Sequence, residues 1–281
     1  MAPAALLGFV VLLQSVDTWK QQLRDAVATH QIDKAEEAIA NLVEKNSESA
    51  ADALLQCGLA SLKSCADLLR ESIKLKQSHR RVSAQLRESV DANEKSELRD
   101  KLNDLERRLF TLEISAAHSS IIQERLTLAL TELNNPKAIQ VLLDRLQNAP
   151  EAPLRQLAAL ALSLSPQGDF NLVTGALLDR LKKEKVPNVI IALTEGLRKR
   201  RDKRPEVAAC LVELLKSEYW QVVVTAAAFL GEIEDPSSVP ALIDTLERTE
   251  GRVRCDVHQA LVRITGVQRT DDPETWKSWW K

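Results

Sequence analysis

Aromatic side chains make up only 4% of this 281-residue chain, and glycine occurs eight times. Both shortages disfavour a β-rich architecture, which fills pleated faces with aromatics and turns on glycine. No glycine-rich phosphate loop, paired-cysteine motif or nucleophile elbow occurs. The four histidines, His30, His79, His118 and His258, stand apart in sequence from one another and from any carboxylate at ligand spacing. Each reads as a surface or interface histidine. No catalytic, cofactor-binding or metal-ligating residue is assigned, no cofactor is implied, and the chain reads as non-enzymatic. A net charge of −2 supplies no global field that points to nucleic acid or membrane.

Cysteine is also sparse. Cys57 and Cys65 lie eight residues apart on one predicted helix, roughly 12 Å along its axis and too far for a disulfide. Cys210 and Cys255 fall in separate repeats without metal-like spacing. All four are expected to be buried free thiols, which leaves the compartment open. Charge is missing from the first 16 residues, and Ala4 to Leu13 is almost wholly apolar. That length suits a secretory signal and is too short to span a bilayer. The basic residue expected before such a segment is absent. The alternative is an apolar helix tucked under the first repeat.

What the chain does have is repetition. The pentad Leu-Leu-Asp-Arg-Leu occurs at Leu142–Leu146 and Leu177–Leu181, with looser copies at Leu211–Leu215 and Leu242–Leu246. The copies start 35, 34 and 31 residues apart, the period of a stacked repeat array. Each pentad sits on a helical stripe, and a second stripe follows a few polar residues later. The third and fourth copies align through both helices without a gap: Leu211 with Leu242, Val222 with Val253, Leu230 with Leu261, Ile233 with Ile264. Prolines at 136, 150, 153, 166, 187, 205 and 236 mark the boundaries. Asn135-Pro136 and Asp235-Pro236 read as a cap followed by proline at the first helical position. Four antiparallel helix pairs are predicted over about residues 135–265. One pair cannot bury both apolar faces, so neighbours must stack. Asp144, Asp179, Glu213 and Asp244 recur at one repeat position, which suggests a structural role.

In these repeats the chain resembles the HEAT-repeat proteins, whose second helix commonly carries Val-Arg followed by small residues and leucine. Here that reads Val253-Arg254 with Ala260-Leu261, and Leu154-Arg155 with Ala158 and Ala161-Leu162; the second and third copies lack the arginine. The ending, Thr265-Gly266, then Asp271-Asp272-Pro273, then Trp276, Trp279 and Trp280, is similar to the tail of exported bacterial, planctomycete-like members. The resemblance implies architecture and export rather than an activity.

Residues 17–45 read as a further helix pair, with Asp33 and Glu36 as a capping box. From residue 50 to about 133 there is no proline, and no glycine after Gly58. Leu55, Leu59, Leu62, Ala66, Leu69 and Ile73 follow a 4-3 alternation, as do Leu98, Leu102, Leu105, Leu109 and Leu112; both read as coiled-coil seams. The polar stretch around residues 89–96 suggests a reversal, with Val82, Leu86 and Val90 as the last anchors before it. The alternative is one long helix that dimerises in trans.

The fold class read from the sequence is all-α: a HEAT-type α-solenoid with an N-terminal helix pair and a long antiparallel coiled-coil hairpin. The divisions are 1–16 (signal or apolar helix), 17–48 (helix pair), 49–133 (hairpin), 134–266 (four-pair solenoid) and 267–281 (Trp-rich cap). Candidate partner-binding residues are Arg198, Lys199, Arg200, Arg201, Lys203 and Arg204, six cations among seven positions. Trp276, Trp279 and Trp280 are expected to close the last repeat over Leu242, Leu246 and Leu261. The expected function is a protein-interaction scaffold acting on an unidentified protein partner, in the cell envelope if exported and otherwise cytoplasmic. The chain is expected to be a monomer, with a coiled-coil dimer as the alternative, and its mature form to have no transmembrane span. A nucleic-acid-binding solenoid like the alkylpurine glycosylases is the first rival, resting on the basic run alone. A HEAT-like bilin lyase is the second.

Overall fold

The computed structural model describes residues 15–165 and 170–280, so most of the apolar segment expected at 1–16 lies outside the described residues. Among the described residues there are thirteen α-helices and one 3-10 turn, and no strand. The chain divides between Ala138 and Ile139 into two compact units.

The first unit holds α1 (Val16–Thr29), α2 (Ile32–Lys45), α3 (Glu48–Glu88) and α4 (Ala92–Glu132). Ser15 caps α1 by accepting the Thr18 N–H, and His30 ends it in the left-handed conformation at φ 56°. The turn is so tight that α2 starts at Ile32, with Gln31 at the N-cap and no side-chain cap. Asp33 and Glu36 therefore form no capping box. Asp33 lies in the first helical turn, where its charge meets the positive end of the dipole, and Glu36 pairs with Arg125 of α4 at 3.0 Å.

The two long helices have 41 residues each, roughly 60 Å at the helical rise. They pack on each other and reverse over residues 89–91, where Asp91 accepts the Asn93 and Glu94 N–H groups at 2.9 and 2.8 Å. On α4 the predicted stripe Leu98, Leu102, Leu105, Leu109 and Leu112 is buried or half-buried. On α3 the prediction is one residue off. Leu69 and Ile73 are 62% and 50% exposed. The shielded stripe is instead Leu54, Gly58, Ser61, Cys65, Leu68, Ser72, Leu75, His79, Val82 and Leu86. It keeps the same 4-3 alternation. At the base of α3, Ala50, Ala51, Ala53, Leu54, Leu55, Cys57, Gly58 and Leu59 are all buried, so the pattern there fits either stripe. Towards the tip the predicted stripe turns into Lys76, Arg80 and Ser83, while its neighbour stays apolar. Val90 anchors nothing; it is 91% exposed in the reversal.

The second unit continues with α5 (Pro136–Asn148), within which the division falls, then α6 (Ala152–Leu164), α7 (Phe170–Leu181) and α8 (Pro187–Lys199). After these come α9 (Pro205–Leu214), α10 (Trp220–Ile233), α11 (Val239–Arg248), α12 (Gly251–Thr265) and α13 (Pro273–Trp279). The helices pair as α7 with α8, α9 with α10 and α11 with α12, and α6, α8, α10 and α12 stack in that order. The architecture is an all-α solenoid. Its core holds the pentad leucines Leu142, Leu146, Leu177, Leu181, Leu211, Leu215, Leu242 and Leu246.

Glycine sets the spacing of the stack. A Cβ on Gly196 would sit 3.0 Å from the Ser163 Cβ, and one on Gly231 would sit 3.1 Å from the Ala260 Cα. One cap differs from expectation. Asp235-Pro236 opens a 3-10 turn (Pro236–Ser238) rather than α11 itself, because Asp235 accepts the Ser237 N–H in a tight turn.

Candidate interaction surface

Packing α6 against α8 brings Arg155 to the loop between α7 and α8. There its guanidinium grips the Glu184 carboxylate with two bonds, at 2.8 and 3.0 Å. Its Nη1 donates two further bonds, to Ala149 O and Pro150 O. Glu184 also takes Arg180 at 2.7 Å and the N–H groups of Lys185 and Val186. Burial alone would push this carboxyl up. The bonds from Arg155, Val186, Arg180 and Lys185 outweigh it and hold the pKa at about 2. This buried pair ties one repeat to the next. By contrast, Asp144, Asp179, Glu213 and Asp244 are solvent-exposed and make at most local contacts such as Glu213–Lys216 at 2.8 Å. The repeated acidic position faces water, and the structural carboxylates are Glu184 and Asp202.

Asp202 reorganises the basic run. Its side chain is buried and accepts the Arg204 N–H at 3.2 Å and the guanidinium at 2.6–3.1 Å. That hydrogen bonding raises the Arg204 pKa further. Arg198 pairs with Glu195 and Glu232 at 3.0 and 3.4 Å. Arg200 donates to Leu162 O and Ser165 O at 3.0 and 3.1 Å and lies 5.7 Å over the Phe170 ring. Burial lowers its pKa. Three of the six candidate cations are therefore engaged within the chain. Lys199, Arg201 and Lys203 are exposed and make no ion pair among the described residues. Arg201 holds a left-handed φ of 54°, which turns the chain out of α8. The same edge exposes Leu164, Phe170 and Leu172 at 43%, 47% and 54%.

The tryptophans divide in the same way. Trp276 is fully buried, donates to Thr270 O at 2.9 Å, and meets His258 and Trp279 edge-on. Trp279 and Trp280 are half-buried, with Arg269 stacked 5.1 Å from the Trp279 ring. Asp272 caps α13 through Thr275, and Lys277 reaches Glu247 of α11 at 2.9 Å.

Folding brings two of the histidines together at the α1–α2 turn. His118 lies 3.2 Å from His30 O, and Ser119 Oγ lies 2.9 Å from His30 Nδ1. His79 approaches Glu106 at 3.3 Å, and His258 approaches Arg269 O at 2.8 Å. The cysteines depart from expectation: only Cys57 is buried, Cys65 and Cys210 are half-buried, and Cys255 is exposed. Burial pushes the Cys57 thiol up to about 11 against the pull of Arg24 and Lys20. Among the described residues no group of three or more His, Cys, Asp or Glu could hold a metal ion. No described helix is long and apolar enough to cross a membrane.

No curated protein matches the chain. The family model described as HEAT repeats matches residues 174–262, from α7 into α12, the stretch that carries the basic loop and most of the stacked second helices.

Proposed function

We propose that the chain is a non-enzymatic scaffold that holds a protein partner on its repeat surface. The contact edge would be the end of α6, the start of α7 and the loop after α8. The observation that carries this reading is the way Arg200 pins the loop to Leu162, Ser165 and Phe170. Pinning holds Lys199, Arg201 and Lys203 beside exposed apolar side chains without further ordering cost. An acidic segment with aliphatic or aromatic anchors fits such a surface. Nucleic acid fits it less well, because the equivalent end of α10 and its loop carry Glu232, Glu234 and Asp235 and offer phosphates no continuing track. HEAT repeats commonly serve as interaction scaffolds, which supports the same reading. A cell-envelope location and kinship with exported planctomycete-like proteins belong to this proposal; their support is the uncharged, apolar start and the Trp-rich tail.

The test is quantitative affinity capture with the full chain and with a Lys199→Glu, Arg201→Glu, Lys203→Glu variant. Proteins captured by the first and lost from the second, with acidic segments among them, are the expected result. An unchanged captured set rejects this edge as the contact surface.

A further inference from the structure

The outer face of α4 carries a second heptad stripe that stands exposed among the described residues. Its members are Asn103, Arg107, Phe110, Ile114, Ala117, Ile121, Glu124 and Leu128, spaced 4-3-4-3-4-3-4, and every one is exposed. Phe110 is 67% exposed, Ile114 42%, Ile121 37% and Leu128 43%. Large apolar side chains at this spacing form the seam of a helix–helix contact, and α4 already uses its other seam on α3. We infer that the occupant is a second copy of this chain, with α4 packed antiparallel on α4 about a two-fold axis between Ser115 and Ala116.

The charges decide in favour of self-pairing. Antiparallel coiled coils stack each a residue on a d residue of the other strand. About this axis Phe110 meets the partner's Ile121 and Ile114 meets the partner's Ala117. The two charged positions then fall opposite each other: Arg107 meets the partner's Glu124, once on each side of the axis. A two-fold interface must be self-complementary, and this stripe is. Neither charge has an ion-pair partner among the described residues. Arg107 donates only to its own helix at Asn103 O, 3.3 Å away. Along the stripe the flanking positions place no like charges together: Glu113 faces the partner's Ser120, Glu106 faces the partner's Thr127, and Asp104 faces the partner's Arg125; the one acidic pair, Glu132 with the partner's Glu97, lies beyond its end. At the stripe's end Leu128 lines a groove of about 470 Å³ with Ile39, Val43 and Ala129, rimmed by Glu44, Glu132 and the Glu36–Arg125 pair.

This dimer does not depend on the solenoid's partner. The experiment is sedimentation equilibrium of the full chain over a wide concentration range, with Arg107→Glu, Glu124→Arg and the combined variant alongside. The expected result is a species of twice the chain mass. Each single reversal, which sets like charges opposite one another, weakens it at least about tenfold, and the combined variant restores it. Phe110→Ser should weaken it without changing charge. All three substituted positions lie on an exposed face, and circular dichroism confirms that each variant keeps its helices. A chain that stays monomeric at its highest soluble concentration overturns the inference. So does a dimer that the reversals leave unchanged, or one that the combined variant fails to recover.

Discussion

Glu184 shows how much one buried side chain carries. Its carboxylate has two guanidinium partners and two backbone donors. Removing it leaves the Arg155 cation buried without its counter-ion. Glu184→Ala is therefore expected to cost about 3–5 kcal/mol, read as a lower denaturant midpoint. Arg155→Lys should also destabilise, because an ammonium cannot make the paired bonds. The pH dependence has a definite sign. The folded pKa, about 2, lies below the ordinary 4.5, so the folded state favours the ionised form. The stabilisation is complete above pH 4.5 and fades as pH falls towards 2. Melting temperature should drop over that window in the natural chain, and Glu184→Gln should flatten that part of the profile. Sequence reading missed this residue for a physical reason. Glu184 stands in Lys182-Lys183-Glu184-Lys185, which reads as a solvated loop, and only the stacking of α6 on α8 delivers Arg155 to it. The same holds for Asp202, the single acid inside the basic run, which turned out to be its organiser.

Single elements are stabilised by what they fit against. The stack of second helices leaves no room at Gly231, whose missing Cβ would sit 3.1 Å from the Ala260 backbone. Gly231→Val should force α10 from α12 and lower stability by about 1–3 kcal/mol, measured by chemical denaturation. At the end of the array, α13 packs on α11 and buries Trp276 completely. Trp276→Ala is expected to cost about 3–5 kcal/mol and to raise dye binding, as for other large-to-small core changes. Trp279→Ala should cost distinctly less, since that ring is half-buried. Equal losses at the two positions would contradict the capping role we give to Trp276. The helices themselves were legible in the sequence because their apolar spacing and prolines agree, as in α8 and α9, which open on Pro187 and Pro205. The face of α3 was not. With apolar residues on several sides at its base, the choice between two adjacent stripes is made near the tip, where the sequence signal is thinnest.

For the whole molecule, the repeat period, the paired helices and the HEAT match over residues 174–262 agree on an α-solenoid. The basic run was visible in the sequence as six cations. Folding reduces the available set to Lys199, Arg201 and Lys203 and adds apolar neighbours from another helix, information that no local pattern holds. The proposal that this edge grips a partner is tested most directly by hydrogen exchange on the full chain, free and bound to its captured partner. The account predicts slowed exchange concentrated in residues 198–204 and the first turn of α7, with the tip of the hairpin unchanged. Slowed exchange elsewhere in the solenoid with none in residues 198–204, or no change on binding, would contradict it.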